Sequence, residues 1–301
     1  MASMKKILEC VPNFSEGRDL KKIEKIVEPF RGADGVKLLD YRNDKDHNRS
    51  VVTVVGEPQP LKIALIESVG IAIDLIDMRK HKGQHPRMGA IDVVPFIPVK
   101  EISMDEAIKV SKAIAQQIAE TYKLPIFLYE QSATKPERQN LASIRKGQFE
   151  GMAEKIKHPQ WAPDYGPSEI HPTAGATAMG ARMPLVAFNV NLDTSNIDIA
   201  NQIAKKVRHI SGGLRYCKGI GLELKDRGIV QVSLNMTDYT KTALYRVFEL
   251  IKIEAQRHGV NVVGSEIIGL VPMEALMDCA AHYLGLEDFS MQQVLEIRIY
   301  E

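Results

Sequence analysis

This chain writes one order of secondary-structure elements twice, in different letters, and few folds accommodate that. In the first half KILECVPNF predicts a strand and DLKKIEKIVEPF a helix, because Leu20, Ile23, Ile26 and Val27 recur at helical spacing. Two β-branched runs follow, GVKLLDY and RSVVTVVG, joined by the polar turn RNDKDHN. PLKIALIESVGIAIDLIDM is apolar around more than half its circumference and predicts a buried helix; AIDVVPFIPV predicts a strand whose pairing Pro95 and Pro98 limit. SMDEAIKVSKAIAQQIAETY opens with Ser103 and Glu106 at the spacing of a capping box, and LPIFLYE is a short strand.

The second half repeats the order. PLVAFNVNL is a strand, IDIANQIAKKVRHI a helix, and YCKGIGLELK and GIVQVSLNM are strands about a DRG turn. KTALYRVFELIKIEAQRHG is a helix stopping at Gly259, VNVVGSEIIG a strand, and PMEALMDCAAHYLG a helix with Pro272 near its first turn. Each half reads β-α-β-β-α-β-α. That pattern predicts an α+β fold of two split-βαβ (ferredoxin-like) subdomains, each a mixed sheet covered by helices, spanning 1–183 and 184–301. Between them HPQWAPDYGPSEIHPTAGATAMGAR, residues 158–182, holds four prolines, three glycines and the sole tryptophan, and predicts a long functional loop.

Composition removes several function classes. Lys and Arg number 39 against 38 Asp and Glu, so no global basic excess points to nucleic acid. Cys10, Cys217 and Cys279 are odd in number and far apart, which argues against a disulfide framework or zinc ribbon and fits a reducing cytoplasm. The window IALIESVGIAIDLI is broken by Glu67 and Asp74 and is too short for a membrane span. MASMKK lacks the apolar core of a signal peptide, and MAS ahead of Met4 reads as a cloning remnant.

Titratable chemistry is concentrated in RKHKGQHPR, residues 79–87. His81 and His85 would share one face of a helix, the spacing of a zinc pair, but Gly83 and Pro86 oppose that helix. Lys80, His81 and Lys82 read as a basic cap on the preceding helix. His85 differs: Pro86 restricts its backbone to extended conformations and so fixes where the imidazole points, which suits proton transfer. It stands open at this point as either a catalytic group or part of a solvated basic loop. Arg87 has the fork geometry to hold an anionic substrate group. GIGLEL has two glycines of a dinucleotide fingerprint but Leu224 in place of the third, and lies in a predicted strand. There is no GxxxxGK[ST] and no GxSxG. A histidine acting without those partners narrows the chemistry to group or proton transfer.

CVPNFSEG at 10–17, DHNRSV at 46–51, HKGQHPRMGAIDVVPFIPV at 81–99, WAPDYGP at 161–167, GATAMGAR at 175–182, AFNVNL at 187–192 and VGSEIIGLVP at 263–272 resemble the glutamate formiminotransferase family. The resemblance runs from about Lys5 to near the C-terminus. It implies transfer of a formimino group from N-formimino-L-glutamate to tetrahydrofolate in histidine breakdown, with folate in a cleft or tunnel between the subdomains. It further implies a homodimer, with tetrahydrofolate as cosubstrate and no metal. His85 matches the family's general acid/base histidine, and Gly166, Pro167, Ser168, Glu169, Ile170, His171, Pro172, Thr173, Ala174 and Gly175 match its folate-binding segment. Both substrates carry carboxylates, so Arg49, Arg87 and Arg182 are candidates to position them; Arg49 and Arg182 read equally as surface ion-pair residues. Asn13 and Asp40 are polar contacts or turn residues. His47 reads as ordering a turn, and His171 as flanking either the ligand or a proline bend. Animal members continue into a cyclodeaminase domain; this chain ends at Glu301, so it is expected to form 5-formiminotetrahydrofolate without cyclising it. Formyl transfer between 5-formyltetrahydrofolate and glutamate, and a folate-binding or sensing module without turnover, are the rival readings.

Overall fold

The computed structural model describes residues 6–300, with only the backbone of Tyr300; the MAS tripeptide lies outside them. The chain divides into two compact units after Arg182. In the first, β1 (Ile7–Cys10) and β2 (Asn13–Phe14) are one predicted strand interrupted at Pro12, which has no N–H to give the ladder. Then come α1 (Leu20–Val27), β3 (Val36–Asp44), β4 (Arg49–Gly56), α2 (Pro58–Leu75), β5 (Ile91–Lys100), α3 (Met104–Tyr122) and β6 (Ile126–Leu128). Two short helices, α4 (Leu141–Arg145) and α5 (Gln148–Lys155), precede β7 (Thr177–Ala181).

Across this sheet the order is β3, β4, β1 with β2, β5, β7, β6. The first four positions are antiparallel in the split-βαβ order, and β7 and β6 extend the β5 edge in parallel. One face packs Leu8, Cys10, Phe14, Val54 and Phe96 against α1, α2 and α3. α3 carries the predicted capping box. α2 buries a single face, Leu61, Leu65, Val69 and Ala72, and leaves Ile63 67% exposed, so it is less enclosed than its composition suggests. On the opposite sheet face Val93, Phe127, Tyr129 and Ala178 pack against Ile144 of α4 and Met152 of α5.

The second unit runs β8 (Val186–Leu192), α6 (Ile197–Val207), β9 (Cys217–Leu224), β10 (Ile229–Met236), α7 (Leu244–Gln256), β11 (Val262–Ile268), α8 (Met273–Leu284) and α9 (Leu295–Tyr300). Its strand order, β11-β8-β10-β9, matches the order of the first four positions in the first sheet. All its pairings are antiparallel, so the mixed sheet expected of each half holds only for the first, where β6 and β7 are added. GIGLEL is strand β9; any side chain at Gly221 would run into Asn201, so that glycine serves close helix packing. Among the described residues no helix is long and apolar enough to cross a membrane.

Candidate active site

Three of the sequence motifs are stitched together by backbone polar groups. Asn48 of DHNRSV accepts from the Gly17 N–H at 2.9 Å and donates to the Lys82 carbonyl at 3.0 Å, joining VPNFSEG to the histidine-rich segment. Ser15 Oγ donates to the Gly89 carbonyl at 2.7 Å, and the Ser15 N–H to that of Ala90 at 2.9 Å. The far end of 166–175 joins the same place: the Ala90 N–H donates to Ala174 O at 2.9 Å and the Ala176 N–H to Met88 O at 3.1 Å. Gly175 takes φ +72 and has the Met88 carbonyl where a side chain would begin, so glycine is required there. Residues 166–169, by contrast, are exposed. The structure therefore brings the His85 loop and the predicted folate segment side by side.

His85 is 13% exposed and its Nε2 lies 3.6 Å from Oδ2 of Asp92, a β5 carboxylate that is 1% exposed. Asp92 also accepts from the Met88 N–H at 2.9 Å and pairs with Arg145 Nη2. Arg49 Nη1 is 3.4 Å from both ring nitrogens of His85, which only a position over the ring face allows. Burial first, then the Arg49 and Arg145 charges, lower the pKa of His85 from its ordinary 6.5, against an opposing pull from Asp92. Burial would lift the Asp92 carboxyl, yet Arg145, His85 and the Met88 N–H together hold it below the usual carboxylate range. The Arg49 pKa is itself lowered, by burial and then by Arg145. The result is an imidazole kept neutral beside two guanidiniums, suited to take up a proton from a substrate.

The other predicted residues divide. Arg87 is buried and committed: Nη1 and Nη2 hold Glu150 at 2.9 and 2.7 Å, Nη1 also reaches Gln148 Oε1 at 2.9 Å, and Nε donates to His81 Nδ1 at 3.2 Å. His81 gives its other nitrogen to the Asn48 carbonyl at 2.9 Å, so it is a strut. No helix contains His81 and His85, and among the described residues no group of three or more His, Cys, Asp or Glu could hold a metal ion. Asn13 is buried on β2 and donates to Val11 O at 2.9 Å. Asp40 sits on edge strand β3, paired with Arg42 at 2.9 Å. Arg182 lies beside Glu9, whose carboxyl burial raises and Arg182 opposes, and bonds Tyr129, whose hydroxyl burial pushes up to about 12. His171 Nδ1 accepts from the Ala174 N–H at 3.0 Å, closing the turn at the end of its segment. His47 is held by Asp44 at 2.8 Å with its ring 6.4 Å from that of His85.

Residues 7–182 match the formiminotransferase domain, N-terminal subdomain, and residues 187–299 the formiminotransferase domain. The chain belongs to the formiminotransferase family. It is 58% identical to glutamate formimidoyltransferase of Streptococcus pyogenes serotype M1, over 97% of this chain and 98% of that one. It is 43% identical to the protein of that name from Thermoplasma acidophilum, over 96% of each. With formimidoyltransferase-cyclodeaminase of Rattus norvegicus it shares 43% identity over 98% of this chain and 56% of the rat protein.

Two residues of this candidate site escaped the sequence. Asp92 carried a signal, since a carboxylate inside the apolar run AIDVVPFIPV must be paired if buried. Arg145 carried none: it arrives from α4, 53 positions along the chain from Asp92.

Proposed function

We propose that this formiminotransferase moves the formimino group from N-formimino-L-glutamate to N5 of tetrahydrofolate, giving 5-formiminotetrahydrofolate and glutamate. The observation that carries the reading is the 58% identity, end to end, with a glutamate formimidoyltransferase. N5 attacks the amidine carbon and forms a tetrahedral centre bearing nitrogens from both partners. Collapse toward product requires N5 to lose a proton and the glutamate nitrogen to gain one. His85, neutral before reaction, takes the first and returns it to the second. Arg49 keeps its Nε without a partner beside that imidazole and faces a substrate carboxylate. The segment from Gly166 to Gly175, pinned at its far end against Met88–Ala90, binds folate through its exposed stretch. Arg182, just past β7, is a further candidate for a substrate carboxylate, while Arg87 braces the loop through Glu150. Tetrahydrofolate is a cosubstrate that leaves modified. The enzyme works in the cytoplasm as a homodimer, a reading its family resemblance and free cysteines support.

Supplying the purified protein with N-formimino-L-glutamate plus tetrahydrofolate, and separately with 5-formyltetrahydrofolate plus glutamate, decides the donor. Turnover on the first pair at well above the rate on the second is expected. Turnover confined to the formyl pair, or folate binding with neither reaction, overturns the proposal in favour of formyl transfer or of sensing.

A further inference from the structure

We propose that Asp92 is a positioning residue: held by the Met88 N–H and by Arg145, it fixes His85 with its proton on Nε2 and leaves the Nδ1 lone pair to the substrate. What His85 does with that lone pair rests on the transfer reading above; the tautomer does not.

A carboxylate only accepts, so the ring nitrogen that faces it carries the proton. Nε2 faces Asp92 Oδ2 at 3.6 Å, longer than a hydrogen bond, and catalytic pairs of this kind tighten when the reacting complex forms. Arg49 Nη1 lies over the ring, 3.4 Å from Nδ1 and equally far from Nε2, a long contact that a substrate group approaching Nδ1 in the ring plane can replace. An unpaired buried carboxylate would hold a second proton on the imidazole, and Arg145 offsets that pull. The charged and titratable groups facing His85 are Asp92 from β5, Arg49 from β4, Arg145 from α4, and His47 with its partner Asp44 from the β3–β4 turn.

Arg145 is itself held in place. Lys155 Nζ donates to the carbonyls of Ser143, Ile144 and Lys146 at 2.6, 2.7 and 3.2 Å, closing the end of α4 around Arg145. The same ammonium sits 4.0 Å from the centre of the Trp161 ring, which gives the sole tryptophan a use: it fastens the helix that neutralises Asp92.

The test is nitrogen-15 NMR of the imidazoles, with the His85 signals identified by their loss in His85→Gln. In the wild type the proton is expected on Nε2; a proton on Nδ1 overturns the proposal. In Asp92→Asn, His85 is expected to populate both tautomers and to titrate lower than in wild type, with kcat down roughly 10²–10³-fold and KM for folate little changed. In Arg145→Gln, His85 is expected to titrate higher, because the cation that opposes its protonation is gone. Wild-type-like tautomer and titration in both variants overturn the assignment. Should Asp92→Asn not fold, the wild-type spectrum and Arg145→Gln decide. Failure of the wild type to use the formimino donor removes the transfer reading alone, since the spectra need no turnover.

Discussion

Two guanidiniums and one carboxylate lie against His85, and burial adds to the positive excess in opposing a proton there. A base whose pKa is lowered from 6.5 is in its working, unprotonated form throughout the range above that value. Protonation begins only as pH falls below it. The expected profile of kcat/KM is therefore level above about pH 7 and declines on the acid side, with an inflection below 6.5. A pH–rate series checks this, and an inflection above 6.5 contradicts the charge arrangement described. The sequence marks His85 as a candidate because Pro86 restricts its backbone. Asp92 was half legible, as a charge in an apolar strand. The guanidinium of Arg87 faces Gln148 and Glu150, partners that no local pattern announces.

Arg49 and Asp92 reach the candidate site from regular strands, whereas Arg145 comes from the irregular chain between β6 and β7. The chain from 129 to 166 is held by Arg138, 1% exposed, whose guanidinium donates to Asp164 Oδ2 and to the Ala162 carbonyl, both at 2.5 Å, and to the Gln160 carbonyl at 3.0 Å. Asp164 in turn accepts from the Leu128 N–H at 2.8 Å, tying the loop to β6. Removing one member of a buried pair strands the other, so Arg138→Met is expected to cost about 3–5 kcal/mol of stability. Urea unfolding of the variant checks it; a loss below about 1 kcal/mol, typical of a surface pair, would contradict the staple. Helix α3 was readable from Ser103 and Glu106 because a capping box is a local signal. Strand β7 was not, because GATAMGA has neither β-branched periodicity nor charge alternation; it is a strand only because β5 and β6 flank it.

On the scale of the whole chain, the repeated order of elements became two sheets with the same core strand order, as the split-βαβ pattern requires. The halves differ in what the first adds: β6, α4, α5 and β7 after the shared core, contributing Arg145 and the strand that follows the 166–175 segment. Of the added part only β6 was legible, as LPIFLYE; α4, α5 and β7 are short and are positioned by contacts across the sheet. The experiment that bears on His85 compares wild type with His85→Ala in transfer from N-formimino-L-glutamate to tetrahydrofolate, with folate binding measured on both. An acid/base role for His85 requires that His85→Ala bind folate as wild type does and lose roughly 10²-fold or more in turnover. A variant that still turns over at near the wild-type rate would contradict it.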